Sequence, residues 1–220
     1  MIIEYASHDI AVTDAEFKDT IKELNKFNIA CVSVFPHQAK FTKQNLENDT
    51  KLAIVVDFPL GYSDLSTRQK LITSSLIYKP DIIEIVIPTP LLINRKYDKF
   101  RLDVKNNLEL LKNLDVELRY TLDYRQISYD LTYKICQILA DNGIPVVYPS
   151  TSYFIDNLSD NILACALINK KAKDINIMCT GNIWNDGHIN LVKKSKIYGI
   201  RTNSIYTIDF LHKKLINNKS

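Results

Sequence analysis

Glycine is scarce in this chain, with five glycines among 220 residues. Neither the glycine-rich dinucleotide-binding pattern nor the P-loop pattern occurs, so the sequence offers neither of these phosphate-binding loops. The cysteines form no Cys-x-x-Cys pair, and no zinc knuckle or dithiol redox motif is indicated. This cysteine usage favours a reduced, cytoplasmic protein. The four cysteines are Cys31, Cys136, Cys165 and Cys179.

Long hydrophobic runs and a large excess of one charge are also missing. No apolar stretch approaches the roughly 20 residues that a membrane helix needs, and residues 1–4 lack the basic start of a signal peptide. Lysine and arginine number 28 against 25 acidic residues, which gives a net charge of +3. Because no basic run exceeds two residues, we expect neither a membrane nor a nucleic acid as a partner.

The dominant signal in the sequence is alternation between short β-branched runs and longer segments of helical period. Several of the runs are apolar almost throughout, as parallel strands covered on both faces should be. The predicted strands are 2–5, 29–35, 52–58, 82–88, 116–123, 145–148, 175–180 and 197–201. The predicted helices are 13–27, 38–46, 64–78, 97–112, 128–141, 157–171, 187–195 and 204–217.

Eight strands that alternate with eight helices have two natural solutions, a closed barrel and a doubly wound open sheet. The open sheet usually carries a glycine-rich first turn, whereas the first turn here is Ala6-Ser7-His8. The sequence therefore predicts an α/β TIM (β/α)8 barrel. We expect a single domain over residues 1–220, with a frayed polar tail at 217–220.

In such a barrel the chemistry lies at the carboxyl ends of the strands. Glu84 is a carboxylate within an otherwise apolar strand, so we expect a role in the site. The structural alternatives are an outward-facing residue bonded to a helix and an ion pair with Arg119. Arg119, Thr121 and Asp123 share one parity, which places them on the same side of their strand. Glu4 and His8 also lie near strand ends. We do not expect a metal site, because the spacing of the histidines is non-specific.

Other candidates have plain structural alternatives. Asp57 either belongs to the site or caps the turn that follows it. Tyr148 ends a strand and is either a catalytic phenol or a packing residue. No lysine occupies the last positions of any predicted strand, and a Schiff-base nucleophile must be a lysine held in the pocket.

Taken in order, several segments resemble the deoxyribose-phosphate aldolase family. The more specific ones are Phe58-Pro59-Leu60-Gly61 and the Ser150-Thr151 pair, which is similar to the family's lysine-threonine-serine-threonine-glycine motif. The segments that carry the resemblance are 30–36, 51–61, 81–88, 118–123, 148–152 and 178–183. The resemblance implies a class I aldolase barrel, which joins or splits aldehydes through a lysine imine without metal or organic cofactor.

Aligned with the family, the chain departs from it at the reacting centre. The imine-forming lysine aligns with Tyr148, and a tyrosine phenol cannot form an imine. The second lysine aligns with Met178 and the proton-shuttling aspartate with Glu84. The strand-five lysine aligns with Arg119, and a late-strand cysteine of some members with Ser33.

The phosphate-binding segments are altered as well. The family's glycine pair becomes Gly181-Asn182, and its last-strand pattern best matches residues 201–204. A side chain in place of glycine hinders close backbone approach to a phosphate. Arg201 offers a guanidinium that could bind an anion instead.

These observations predict a diverged enzyme that acts on a small carbonyl or sugar-like substrate by imine-free acid–base chemistry. Glu84 would move protons, Tyr148 would act as acid or hydrogen-bond donor, Arg119 would hold an anionic oxygen, and Asp123 would orient Arg119; Asp57 completes the catalytic set. The predicted substrate-binding residues are Ser33, Thr121, Ser150, Gly181, Asn182, Arg201 and Asn203. The alternatives are a non-catalytic small-molecule-binding or partner protein, and retained aldolase activity. A homodimer is a further expectation.

Overall fold

A computed structural model describes residues 1–154 and 157–216 of the chain. The predicted tail at 217–220 lies outside the described residues. Eight parallel strands close into one barrel, because each strand pairs with the next and β8 pairs with β1. The predicted TIM barrel is thereby confirmed. The strands are β1 Ile2–Ser7, β2 Cys31–Val34, β3 Lys51–Val56, β4 Ile82–Val86, β5 Glu117–Thr121, β6 Val146–Tyr148, β7 Asn176–Thr180 and β8 Gly199–Thr202.

The helices form the outer layer, and side-chain caps begin several of them. Thr13 and Glu16 form the capping box that the sequence predicts, with each side chain accepting from the other residue's backbone N–H. The helices are α1 Asp14–Leu24, α2 Pro36–Asn45, α3 Leu65–Ser75, α4 Thr89–Ile93, α5 Tyr97–Leu111, α6 Tyr129–Asp141, α7 Leu158–Lys171, α8 Asp186–Ser195 and α9 Ile205–Leu211. None of the described helices combines the length and the hydropathy that a bilayer span requires.

Two helix predictions differ from the structure. The short helix α4 follows β4 and was not expected, since prolines interrupt its apolar residues before a helical period can be read. The last predicted helix ends early: α9 stops at Leu211 and a π-type turn continues over His212–Ile216.

The main hydrophobic core lies between the strands and the helices, whereas the barrel interior is divided. Two small apolar clusters remain inside the barrel, one of Cys31, Ala53 and Ile82 and one of Val146, Tyr148 and Met178. Charged side chains on several strands separate these clusters. The interior is therefore a mixed polar core, and its carboxyl end carries the candidate site.

The loop after β3 packs directly against the end of β4 at Gly61. Gly61 has a φ of +64°, and a Cβ built there would lie 1.8 Å from the carbonyl oxygen of Ile87. Gly143 also has a positive φ, +77°, but no atom lies within 4 Å of its would-be Cβ. Both glycines adopt left-handed backbone, but only at Gly61 is there also no space for a side chain.

We expect Gly143→Ala to lower the free energy of unfolding by about 1–2 kcal/mol, the cost of left-handed backbone for a residue with a Cβ. Gly61→Ala should cost that amount and roughly 1–3 kcal/mol more, because the methyl group displaces a backbone carbonyl. Urea denaturation of the two variants measures the difference. Equal losses would contradict the close packing of this loop on β4.

Candidate active site at the barrel mouth

A cavity of about 360 Å³ opens at the carboxyl ends of the strands. Its floor is formed by residues at or near the strand ends, and its rim by the loops after β1, β3, β6, β7 and β8. The floor residues are Ala6, Thr121, Thr180, Arg201 and Thr202; the rim includes His8, Asp9, Phe58, Ser150, Tyr153, Asn182, Trp184 and Asn203. Within residues 1–154 and 157–216, the lining contains no lysine.

Beneath this floor, two carboxylates and two guanidinium groups fill the barrel interior. Arg119 Nη1 lies 2.7 Å from Glu4 Oε1, and Arg201 Nη2 lies 2.8 Å from Glu4 Oε2. Arg201 also contacts both oxygens of Glu84, with Nη1 2.7 Å from Oε2. All four side chains are buried. Because an unpaired buried charge is strongly unfavourable, these groups stabilise one another as a balanced set.

Tyr148 is built into the same network. Its hydroxyl donates to Glu4 Oε2 at 2.9 Å and accepts from Arg119 Nη1 at 2.7 Å. The guanidinium of Arg201 stacks 3.6 Å from the centre of the Tyr148 ring. Burial raises the pKa of this phenol well above its usual value. Tyr148 is therefore a protonated, enclosed residue that bridges the ions, and it does not line the cavity.

A hydrogen-bond chain connects Glu84 to the cavity. Ser33 Oγ donates to Glu84 Oε2 at 3.0 Å, and His8 Nε2 lies 2.9 Å from Ser33 Oγ. Since the Ser33 proton is given to Glu84, the consistent arrangement has His8 Nε2–H donating to Ser33. The other ring nitrogen, Nδ1, is then the proton acceptor. His8 lines the cavity, so this chain leads from the cavity to the buried carboxylate.

The electrostatic surroundings keep His8 neutral. Burial lowers the pKa of its imidazole to about 3, and the positive charge of Arg201 contributes to the decrease. The ring is therefore unprotonated on one nitrogen across the physiological range and cannot hold a second proton without passing one on.

Asp123 does not orient Arg119, so that prediction is wrong. Asp123 accepts from Arg125 Nε at 2.9 Å and from Thr151 Oγ1 at 2.8 Å. Strand β5 ends at Thr121, and the alternation that placed Asp123 beside Arg119 stops there. Arg119 instead contacts Glu4, Tyr148 and Glu117.

Asp57 caps a turn, which is the structural alternative that the sequence left open. It adopts a φ of +57° directly after β3. Its carboxylate accepts from the Ser63 backbone N–H at 3.2 Å and from Ser63 Oγ at 2.7 Å. It also accepts from Arg68 Nη1 at 2.5 Å, and Arg68 in turn contacts Asp103. These partners lie in the turn and the helix layer, so Asp57 is not part of the cavity.

Six of the seven predicted substrate-binding residues line the cavity. They are Thr121, Ser150, Gly181, Asn182, Arg201 and Asn203. Ser33 does not line it and reaches it through His8. Two guanidinium nitrogens of Arg201 are held by Glu4 and Glu84, and its Nε has no hydrogen-bond partner within the described residues. The predicted ion pair between Glu84 and Arg119 is replaced by the pair of Glu84 with Arg201.

Sequence reasoning gave no role to several residues of this region. Glu4 and His8 were noted only for their position at strand ends. The aromatic residues of the rim, Phe58, Tyr153 and Trp184, lie in loops that have no periodic pattern. A useful signal was available for Glu4, a carboxylate in the first apolar strand, just as Glu84 is in the fourth.

The architecture is an α/β barrel with a polar cavity at its mouth. Comparisons with known proteins show which proteins it is similar to. No family model matches the sequence. The curated deoxyribose-phosphate aldolase of Caldicellulosiruptor saccharolyticus is 26% identical over 143 residues, 64% of this chain and 65% of that enzyme. The chain thus spans slightly less than two thirds of the length of this relative.

Solved structures give the same likeness. An aldolase named QR15 has a TM-score of 0.83 at 18% identity, over 98% of this chain and 96% of QR15. A tetrameric deoxyribose phosphate aldolase from Aeropyrum pernix has a TM-score of 0.82 at 16% identity, over 97% and 90% of the two chains. These structures show the shared fold. Together with the curated relative, they confirm the resemblance to the deoxyribose-phosphate aldolase family.

We expect His8 to make stability depend on pH below its ordinary pKa of 6.5. Between pH 6.5 and about 3 the unfolded chain binds a proton that the folded imidazole does not, so folding stability falls as pH falls. His8→Gln removes this proton, and its stability should fall less steeply, by up to about 1.4 kcal/mol per pH unit. Urea denaturation between pH 7 and pH 5 measures both slopes. Parallel slopes would contradict a His8 that stays neutral in the folded chain.

Proposed function

We propose that this chain is a diverged relative of the deoxyribose-phosphate aldolases that moves a proton at the carbon next to the carbonyl of a small hydroxylated, sugar-like compound. The observation that carries the proposal is the hydrogen-bond chain from His8 through Ser33 to Glu84. It joins a group on the cavity wall to a buried carboxylate, so a proton taken up at His8 Nδ1 can be balanced by one that passes through Ser33 to Glu84.

The proposed chemistry does not use a lysine imine. An imine requires an amine in the cavity, and the described lining offers none. Tyr148, which aligns with the family's imine-forming lysine, has a phenol that cannot condense with a carbonyl. The network with Glu4, Arg119 and Arg201 also encloses this phenol beneath the floor.

The proton path is short and balanced. His8 Nδ1 takes the proton from the carbon next to the carbonyl, and the electron pair of that C–H bond becomes an enolate. The proton on His8 Nε2 passes to Ser33 Oγ, and the Ser33 proton passes to Glu84. Return of a proton to the same carbon exchanges that hydrogen, or inverts the carbon when the proton arrives on the opposite face. Attack of the enolate on a second carbonyl forms a C–C bond instead, and the resulting alkoxide takes the proton back through Glu84, Ser33 and His8.

The enolate oxygen needs a hydrogen-bond donor, and the floor supplies candidates. The Thr121 hydroxyl is buried and has no hydrogen-bond partner in the described part of the chain, and the same holds for Arg201 Nε. Both residues line the cavity. A positioned donor at a developing oxyanion is a large contribution to catalysis, typically about 3–4 kcal/mol per donor.

The other predicted catalytic residues take positioning roles in this proposal. Arg119 and Tyr148 donate hydrogen bonds to Glu4, and both Glu4 and Glu84 pair with Arg201. Asp123 fixes Arg125 and Thr151 in the loops after β5 and β6. The cytoplasmic location and the homodimer remain predictions.

A non-catalytic binding protein is the second candidate, and one observation favours it. Glu84, Arg119 and Tyr148 are all buried beneath the floor, and none of them lines the cavity. If the proton chain through Ser33 is only structural, the molecule retains a polar pocket without chemistry. Retained aldolase activity through an imine is the third alternative, and the described lining of the cavity offers no amine for it.

We expect the protein to catalyse deuterium incorporation from D₂O into hydroxyacetone at the carbons next to its carbonyl, measured by proton NMR. His8→Gln should lower the exchange rate by about 100-fold or more, the usual contribution of a general base. Ser33→Ala should also lower it, since the proton can no longer leave His8. Borohydride added during the reaction should leave the mass of the protein unchanged.

The matched control is His212→Gln, because His212 lies against Phe27 and not in the cavity. This variant should exchange at the rate of the parent chain. Absence of exchange in the parent would favour the binding protein. A borohydride-stable adduct on a lysine would overturn the imine-free proposal.

A further inference from the structure

The walls of the cavity are unlike its floor, and this difference bears on the ligand. The floor is polar, whereas aromatic and aliphatic side chains form much of the rim. We propose that the cavity takes an uncharged hydroxy-carbonyl compound with an aromatic or otherwise apolar body, and not a phosphate ester. This inference rests on the proposed function in that it names the substrate class of the same cavity.

Charge is the first argument against a phosphate. Among the described lining residues, the cation is Arg201 and the carboxylate is Asp9. Glu4 and Glu84 already neutralise Arg201. A phosphate ester carries about two negative charges near neutral pH, and a cavity with no unpaired cation in its described lining offers it no compensation.

The backbone donors of the loops after β7 and β8 are the second argument. Phosphate sites at such loops use several free backbone N–H groups. Here the Gly181 N–H donates to the Arg201 carbonyl at 2.9 Å, the Ile183 N–H to Thr207 Oγ1 at 3.0 Å, and the Ser204 N–H to Thr202 Oγ1 at 3.1 Å. These three donors are consumed within the protein.

The space beside Gly181 is also apolar. A Cβ built at Gly181 would lie 2.8 Å from Leu158 Cδ1, so the Leu158 side chain occupies the position from which a ligand would approach this glycine. Leu158 itself lines the cavity. A hydrocarbon group at this point excludes a phosphate and favours an apolar substituent.

Aromatic side chains form two further parts of the rim. The Phe58 ring lies 4.9 Å from the His8 ring and 6.1 Å from the Tyr153 ring, centre to centre. Trp184, on the loop after β7, is 54% exposed, and Tyr153 is 48% exposed. A ligand with an apolar body would cover these surfaces and remove them from water.

The polar head of the same ligand fits the floor. Thr121 Oγ1 and Arg201 Nε are buried polar atoms without hydrogen-bond partners within the described residues. Such atoms are costly unless a ligand or water oxygen satisfies them. A carbonyl with a neighbouring hydroxyl supplies the acceptors, and its apolar body then extends toward Trp184 and Tyr153.

Trp184 is the one tryptophan of the sequence, so its indole N–H gives a single resonance in the ¹⁵N NMR spectrum. Three probes are titrated into the full chain: 2-hydroxyacetophenone, hydroxyacetone and glyceraldehyde 3-phosphate. We expect saturable shifts with 2-hydroxyacetophenone at a Kd at least tenfold below that of hydroxyacetone. We expect no saturable shift with glyceraldehyde 3-phosphate, at either low or high salt.

Two tyrosine variants provide the matched comparison. Tyr153→Ala removes a rim aromatic and should weaken 2-hydroxyacetophenone binding about 2- to 10-fold, the usual value of one aromatic contact. Tyr206→Ala removes a tyrosine that is 63% exposed on α9 and does not line the cavity. Its Kd should equal that of the parent chain.

Binding of glyceraldehyde 3-phosphate in preference to the aromatic ketone, or equal weakening by the two tyrosine variants, would overturn the inference. So would the absence of any shift with 2-hydroxyacetophenone. The proposed function fails separately: a borohydride adduct or a lack of deuterium exchange refutes it without altering the order of the three affinities.

Discussion

Four charged side chains lie at the centre of the barrel, and the cost of burying each charge is compensated by the opposite charges beside it. Glu4 and Glu84 stand on β1 and β4, and Arg119 and Arg201 on β5 and β8. Removing such charges from water costs several kcal/mol per ion unless opposite charges and hydrogen bonds compensate. The contacts of the two arginines with the two glutamates supply that compensation, and Tyr148 adds a donor and an acceptor. The network therefore connects strands across the barrel interior, in addition to the backbone hydrogen bonds between neighbouring strands.

This network also determines what the mouth of the barrel can do. It lies beneath the floor of the cavity, and the cavity meets the network at Arg201. The route from the cavity to a buried carboxylate runs through His8 and Ser33. In the proposed function this route carries the proton, since the described lining of the cavity contains no lysine. In the inference drawn above, the aromatic side chains of the rim contact the apolar part of the ligand.

The fold could be predicted from the sequence because its signals are local and repeated. Apolar β-branched runs such as residues 82–86 and capping patterns such as Thr13–Glu16 specify single elements, and eight repeats leave few ways to arrange them. The candidate site was only partly predictable. The alternation along β5 correctly predicted that Arg119 and Thr121 lie on the same side of the strand. The prediction failed for Asp123, because the strand ends at Thr121.

Pairings across the barrel were the least predictable feature. Register places Glu84 beside Arg119 and Glu4 beside Arg201, yet the guanidinium groups reach over the interior, and Glu84 pairs with Arg201. The partner of a side chain as long as arginine depends on the three-dimensional arrangement of the strands. The spacing of residues in the sequence does not specify that arrangement. The roles of His8 and Trp184 likewise depend on where loops converge.

The coupling energy between Glu84 and Arg201 tests the central claim most directly. Glu84→Gln and Arg201→Gln each leave one buried charge unbalanced and should each lower the free energy of unfolding by about 3–5 kcal/mol. The double variant restores the balance between Arg119 and Glu4. Its loss should be smaller than the sum of the single losses by about 1–3 kcal/mol. Additive losses in urea denaturation would contradict a charge-balanced network at the centre of this barrel.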